Sequence, residues 1–426
     1  MAAHPQPETV LSFEEARRMV EEHAACLRPP GKELVELLES SGSVLAEPVV
    51  ADRDFPPFRR AARDGYAVRA ADLLHLPATL DVIGEIRAGA SPESIPPLQA
   101  KQAALIMTGA AAPAGCDAVV MVEYTARAGS RVEIARAVES GANIVAIGSE
   151  ARRGDPLLSP GIRLDYLAIS LAASVGRSHL SVYAKPRVAV LATGDEIVDI
   201  DRRPGPAQIR NSNTYSLAAQ IRAAGGEPVL LPIAPDEPSQ LRDLIGDGLE
   251  SDLLLMAGGV SMGKYDFVEE VLAGFDAEFF FTGARIQPGK PVVFGRIPRG
   301  ARASSASSPA AGTDFRYFFG LPGNPVSTMV TFELFARPIL EALAGQTQRR
   351  LIFLHARLKS EIVTKPGLKR FLPAVLSGEF EHSEVELVRW GGSGDIAAAA
   401  RANCYVIVPP DRERIPRGEW VAVLPR

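Results

Sequence analysis

Residues Ser251 to Arg296 read SDLLLMAGGVSMGKYDFVEEVLAGFDAEFFFTGARIQPGKPVVFGR, and the elements in this stretch decide the fold. Leu253 to Ala257 is a short apolar run that stops at two glycines, the pattern of a buried parallel strand running into a turn open to backbone approach. Phe267 to Leu272 predicts a helix. Strand, glycine turn with Gly258, Gly259, Ser261 and Gly263, and helix bring backbone N–H groups and a positive helix end to one point, where an anion can sit. Asp266 adds a hard carboxylate. Lys290, in Pro288-Gly289-Lys290-Pro291, sits on a turn before the next strand.

Gly258 to Lys264 fits the Gly-x4-Gly-Lys portion of a phosphate-binding P-loop, but a P-loop follows its lysine with Ser or Thr to ligate magnesium. Tyr265 stands there and cannot do so, which removes that reading.

From Arg187 the chain alternates strand and helix. Strands are expected at Val188 to Ala192, Pro228 to Ile233, Val292 to Gly295 and Tyr317 to Phe319. Helices are expected near Thr214 to Ala224, Pro238 to Leu249 and Val326 to Ala344. Such alternation implies a parallel sheet covered by helices on both faces, with ligands at the carboxyl ends of the strands. Three strand ends run into glycine-bearing loops: Thr193-Gly194-Asp195-Glu196, Gly258-Gly259-Val260-Ser261, and Gly320-Leu321-Pro322-Gly323-Asn324-Pro325. Asp195 and Glu196 are adjacent carboxylates after a strand, suited to a divalent cation.

Around this core the character is different. Ser12 to Cys26 predicts a helix with Glu15 at the capping-box position, Val44 to Ala51 predicts a strand, and Asp165 to Gly176 a second helix. Asp64-Gly65 is a turn delivering a strand. Short β runs at Leu80 to Gly84, Ala103 to Met107, Ala118 to Met121 and Val132 to Ile134 argue for a compact, mostly β domain in which Thr108 and Gly109 follow a strand. After Gly345 the chain is β-rich again, with an exposed loop Gly391-Gly392-Ser393-Gly394-Asp395 that either closes over a ligand or merely connects strands. Residues 298–313 are low in complexity and lack bulky apolar side chains, the composition of a mobile hairpin tip. The expected class is α/β and β multidomain: a central doubly wound, parallel-type sheet with flanking mostly β domains and a C-terminal β-barrel-like domain. The expected boundaries are 10–52 with 142–182 (elongated N-terminal domain), 53–141 (inserted β domain), 183–346 (α/β domain) and 347–426 (C-terminal β domain).

Length and charge exclude several classes. A chain of 426 residues with formal net charge −5 carries no footprint for nucleic acid. No apolar run reaches the roughly 18 residues of a membrane span, and the first residues lack a secretory signal, so the cytoplasm is expected. Three cysteines without C-x-x-C spacing and six histidines without metal-site spacing point to neither a disulfide framework nor histidine-based metal catalysis.

Six motifs in order and spacing now resemble one family: Asp64-Gly65-Tyr66-Ala67-Val68, Met107-Thr108-Gly109-Ala110, Thr193-Gly194-Asp195-Glu196, Gly258 to Gly263 with Asp266, Pro288-Gly289-Lys290-Pro291, and Gly320 to Pro325. The chain resembles the molybdopterin molybdenumtransferases, MoeA in bacteria and the matching domain of gephyrin. The resemblance implies an elongated four-domain homodimer that inserts molybdenum from molybdate into adenylylated molybdopterin with Mg2+ and releases AMP. It implies catalytic roles for Asp64, Thr108, Glu196, Asp266 and Lys290. Substrate binding is implied for Gly258, Gly259, Ser261, Gly263, Asp236, Glu150, Arg285, Pro322, Gly323, Asn324 and Pro325, and metal binding for Asp195 and Glu196. Because Asp64 lies on a separate β domain, an isologous dimer could supply it to the partner's site. Two departures stand out: Ala61-Ala62-Arg63 replaces the family's usual Ser-Ala-Met, and Gln287 stands where many members carry Lys, with Arg285 two places earlier as a substitute charge. The alternatives from other classes are a molybdopterin adenylyltransferase on a related sheet and a gephyrin-like scaffold.

Overall fold

The computed structural model describes residues 9–91, 96–259, 268–299, 315–379 and 382–426. Two compact units emerge. One comprises residues 9–46, Pro160–Asp165 and His179–Arg426; the other comprises Glu47–Ser159 and Tyr166–Ser178.

The first unit is built on a six-stranded sheet in the order Glu227–Leu230, Arg187–Ala192, Leu253–Ala257, Phe315–Leu321, Val293–Pro298, Glu278–Phe281. The first four strands are parallel, as the alternation predicts. Val293–Pro298 runs antiparallel to both of its neighbours, so the sheet is mixed rather than wholly parallel. The edge strand at Glu278–Phe281 was not expected. Its Phe-rich run lacks a period-2 pattern, and only pairing with Val293–Pro298 reveals it.

Each inner strand divides its side chains between two cores because successive residues point to opposite faces. Val188, Val190, Leu253 and Leu255 join one core with the helices Ser212–Ala223 and Phe13–Ala25; Ala189, Leu191, Leu254 and Met256 join the other with Pro238–Gly248 and Val268–Ala273. Both faces are thereby covered. Phe294, fully buried, stacks on Phe319 with centroids 4.6 Å apart.

Three further expectations meet the structure here. The Ser12 capping box is present at the start of the Phe13–Ala25 helix. The strand expected over Val44 to Ala51 shrinks to Val49–Val50, with Val44 and Leu45 making only isolated bridges. The closing helix begins at Pro325 and is interrupted by a π turn over Phe332–Ala336 before Arg337–Leu343. Pro338 explains the interruption, since it cannot donate to the carbonyl of Leu334 and its ring crowds that oxygen. The buried guanidinium of Arg17 donates to Leu334 O instead, at 2.5 Å.

The last part of this unit is a closed five-stranded barrel of Lys369–Ser377, Glu384–Leu387, Leu354–Leu358, Trp420–Pro425 and Cys404–Val408, sealed by pairing of the first with the last. Ile286–Gln287 adds to its outside, parallel to Lys369 and Arg370. That pairing brings the Pro288–Pro291 turn beside the barrel.

The second unit is a six-stranded sheet in the order Ala118–Met121, Gly65–Val68, Gln102–Ile106, Ala78–Ile86, Arg131–Ile134, Thr125–Ala128, with the helix Tyr166–Ser174. The four β runs expected there are all present, and both faces of the sheet are packed. Most of the low-complexity stretch at 298–313 lies outside the described residues.

The aromatic stack in the central sheet sets a stability test. Phe294→Ala leaves a cavity among rings that cannot collapse, and should cost about 3–5 kcal/mol. Denaturant titration of Trp or far-ultraviolet signal should show the midpoint falling without loss of the folded baseline. An unchanged midpoint would place the stability of this unit elsewhere.

Candidate active site

The parallel strands Arg187–Ala192, Leu253–Ala257 and Phe315–Leu321 deliver their following loops to one place. A cleft of about 790 Å³ opens there, and all three loops line it through Gly194 and Glu196, Gly258 and Gly259, and Gly323, Asn324 and Pro325. Glycine is required at the middle loop. Gly258 and Gly259 have φ of +101° and +65°, and a Cβ on Gly258 would lie 2.7 Å from the Thr193 carbonyl oxygen. The Gly258 N–H donates to Leu321 O at 3.1 Å, so it serves the fold and does not offer itself to an anion. Ser261, Gly263 and Asp266 lie outside the described residues.

The carboxylates divide by role. Glu196 and Asp236 line the cleft. Asp195 accepts from the Asp236 N–H at 3.1 Å, an arrangement that holds the two loops together. Among the described residues, no three His, Cys, Asp or Glu side chains gather closely enough to cage a metal.

A second, smaller cleft of about 320 Å³ adjoins the first. Its lining includes Gln287, Gly289, Lys290, Ser327 and Ser393, and it shares Asn324 with the larger cleft. Asn324 is the N-cap residue of the Pro325–Thr331 helix, yet its side chain makes no capping bond. An asparagine at this position ordinarily caps; here its amide is left to the clefts. Pro322 lines the smaller cleft.

The glycine loop from the barrel contributes to the walls of both clefts. Gly392 and Ser393 line the small cleft, and Gly394 and Ile396 the large one. The Val326 N–H donates to Ser393 O at 3.0 Å. Asp395 accepts from Gly391 N–H and Ala398 N–H, each at 2.9 Å, and these bonds hold its carboxyl below the usual range.

Arg285 lines neither cleft. It is exposed and lies near Glu15, whose carboxyl is held low first by the Ser12 N–H and hydroxyl and then by Arg285. The barrel strand places another basic residue, Arg370, in register with Gln287, and like Arg285 it lines neither cleft. Arg370 is 9% exposed and donates to Leu368 O at 3.2 Å, and burial lowers its pKa. Sequence reasoning missed Arg370 and the cleft-lining Arg210 and Asn213. Arg370 carries no local signal, since it sits in an ordinary strand; Asn213 follows a strand and opens a helix, which marks it only as a helix-start residue.

In the second unit, Asp64 and Thr108 form a direct pair. Asp64 Oδ1 accepts from Thr108 N–H at 2.6 Å and from Thr108 Oγ1 at 2.8 Å, and these two bonds lower the Asp64 pKa. Glu150 is paired with Arg60 at 2.7 Å. Gly109 N–H donates to Ala61 O at 2.8 Å, so both pairs belong to one edge of this unit.

Comparison with known proteins matches the chain from end to end. The MoeA N-terminal region (domain I and II) matches residues 11–176, a probable molybdopterin binding domain matches 189–342, and the MoeA C-terminal region (domain IV) matches 355–425. A molybdopterin molybdenumtransferase from Nostoc is 33% identical, over 92% of this chain and 88% of its own length. Molybdopterin molybdenumtransferase 1 of Mycobacterium tuberculosis is 32% identical, over 97% of this chain and 98% of its own. A crystal structure of a molybdopterin biosynthesis MoeA protein from Pyrococcus horikoshii superposes with a TM-score of 0.70 at 31% identity, covering 98% of this chain and 99% of that one. Six motifs, two flanking β regions and one strand-end cleft therefore have a single account: the chain belongs to the MoeA family of molybdopterin molybdenumtransferases.

Proposed function

We propose that this chain transfers molybdenum from molybdate into adenylylated molybdopterin and releases AMP, acting as a cytoplasmic homodimer with Mg2+. The observation that carries the reading is the pair of clefts joined at Asn324: one large enough for a pterin nucleotide, the other sized for a small oxyanion. Two substrates that must meet need two adjoining sites.

The small cleft suits molybdate. The Lys290 ammonium supplies charge, and the Ser327 and Ser393 hydroxyls supply donors without charge. The metal is cargo, and its sulfur ligands come from the pterin. The protein's own buried thiols are poor substitutes, because burial pushes the Cys404 thiol up to about 11 and also raises that of Cys116. In the large cleft, the Asn324 amide reaches the boundary where the oxyanion and the pterin would meet.

Glu196 and Asp236 fit Mg2+, which takes one or two carboxylates and completes its shell with water and substrate phosphate oxygens. Bound there, the ion would offset the charge of the adenylyl phosphate. The two carboxylates orient and accept; Asp195 keeps Asp236 in place by accepting its N–H.

Three outcomes test this reading. Lys290→Gln should raise the KM for molybdate about 10- to 100-fold, in line with loss of a charged hydrogen bond of roughly 1.5–3 kcal/mol, while AMP binding stays at the wild-type value. An unchanged molybdate KM removes Lys290 from the oxyanion site. Glu196→Gln should increase the Mg2+ concentration needed for half-maximal turnover; curves that overlay wild type would make the carboxylate structural.

The third outcome concerns pH. The Asp64 pKa is depressed, so its carboxylate persists to lower pH, and the stabilisation from its hydrogen bonds is present above the ordinary carboxylate range and lost as pH falls through the depressed value. Thr108→Val removes the hydroxyl donor but keeps the N–H. Carbon-13 titration of the Asp64 carboxyl should show its pKa moving part of the way back up, and turnover should lose its acid-side plateau. A superimposable titration would show that the hydroxyl contributes nothing.

A further inference from the structure

The barrel and the α/β region also enclose a cavity of about 390 Å³ that shares no lining residue with either cleft. It opens beside the π turn, where Arg17, Glu333 and Pro338 reach its wall. Most of its charge is already paired. Arg337 binds both Glu333 and Glu341 at 2.7 Å, Arg17 Nε pairs with Glu21 at 2.6 Å, and Arg426 donates to Ala399 O at 2.9 Å. Two guanidinium groups on the wall are uncommitted: Arg349 and Arg350 are exposed and make no ion pair or hydrogen bond among the described residues.

A further donor comes from the barrel. Tyr405 is 4% exposed and lines the cavity. Its hydroxyl makes no hydrogen bond among the described residues and is not one of the unpartnered atoms closed to solvent, so the little surface this residue keeps includes the hydroxyl. The charged groups acting on it, Arg426 and Glu333, line the same cavity. Burial pushes its pKa up to about 12, so the phenol keeps its proton and donates. A buried tyrosine hydroxyl ordinarily finds its partner within the fold. Leu351, Ile352 and Leu424 make another part of the wall apolar.

We propose that this cavity binds a phosphate monoester with an apolar body. The head matches in charge and in number: about two negative charges near neutral pH meet two uncommitted guanidinium groups, and three terminal oxygens meet those two groups and one hydroxyl. A carboxylate offers only one charge and two oxygens. The body answers to the apolar part of the wall.

Isothermal calorimetry on the full chain tests this with phenyl phosphate, inorganic phosphate and benzoate. Phenyl phosphate should bind about tenfold or more tighter than either of the others. Tyr405→Phe keeps the ring and removes only the hydroxyl, and should weaken phenyl phosphate about tenfold, the scale of one hydrogen bond to a charged group. Arg349→Gln combined with Arg350→Gln should weaken it about 100-fold. Saturating molybdate should leave the phenyl phosphate Kd unchanged. A Kd equal in the wild type and both variants overturns the proposal, as does displacement by molybdate, which would put the phosphate in the smaller cleft. Benzoate bound as tightly overturns the phosphate head, inorganic phosphate bound as tightly overturns the apolar body, and no binding of phenyl phosphate overturns the site itself.

Discussion

The site depends on how closely three backbone segments approach at the carboxyl ends of parallel strands. Gly258 donates to Leu321 O, a Cβ at Gly323 would come within 3.6 Å of Gly258 Cα, and Thr193 lies directly beneath the Gly258-Gly259 turn. Side chains at the middle turn would force these segments apart. Because they are glycines, the loops converge and the cleft forms between them, with Glu196, Asp236 and Asn324 among the residues that line it.

A second constraint brings the barrel's strand and loop to this edge. Ile286–Gln287 pairs with the barrel strand at Lys369 and Arg370, and the Ser393 carbonyl accepts from Val326 at the start of a helix of the α/β region. Phe13 of the first helix packs on Phe371 of the barrel and Phe335 of the closing helix, with centroids 5.4 and 6.1 Å away. The π turn caused by Pro338 frees the Leu334 carbonyl that Arg17 then binds. Local irregularity at a proline is thus turned into a long-range tie between the first helix and the last helix of the α/β region.

Much of this was legible in the sequence, for identifiable reasons. The four parallel strands, the glycine-bearing strand ends and the Asp64 turn follow from short-range sterics and periodicity, and the six motifs carry the family. The antiparallel edge was not legible, because nothing within Glu278–Phe281 specifies the direction of its neighbour. Arg285 was expected to supply the charge missing at Gln287 on the strength of its distance in sequence; the strand pairing places Arg370 beside Gln287, while Arg285 lies near Glu15.

The sequence by itself determined the class of fold, the family and the places where the backbone must turn, since glycine, proline and the apolar period act through neighbours a few residues away. Only the tertiary structure decided which groups share a cleft. Asn213 binds the carbonyl of Gly323 from 110 positions away. Arg370 reaches Gln287 through a barrel register, and the loop carrying Ser393 is held by Val326. Register and packing are collective: they are set by the burial of both faces of a whole sheet, and no local window of the chain contains that information.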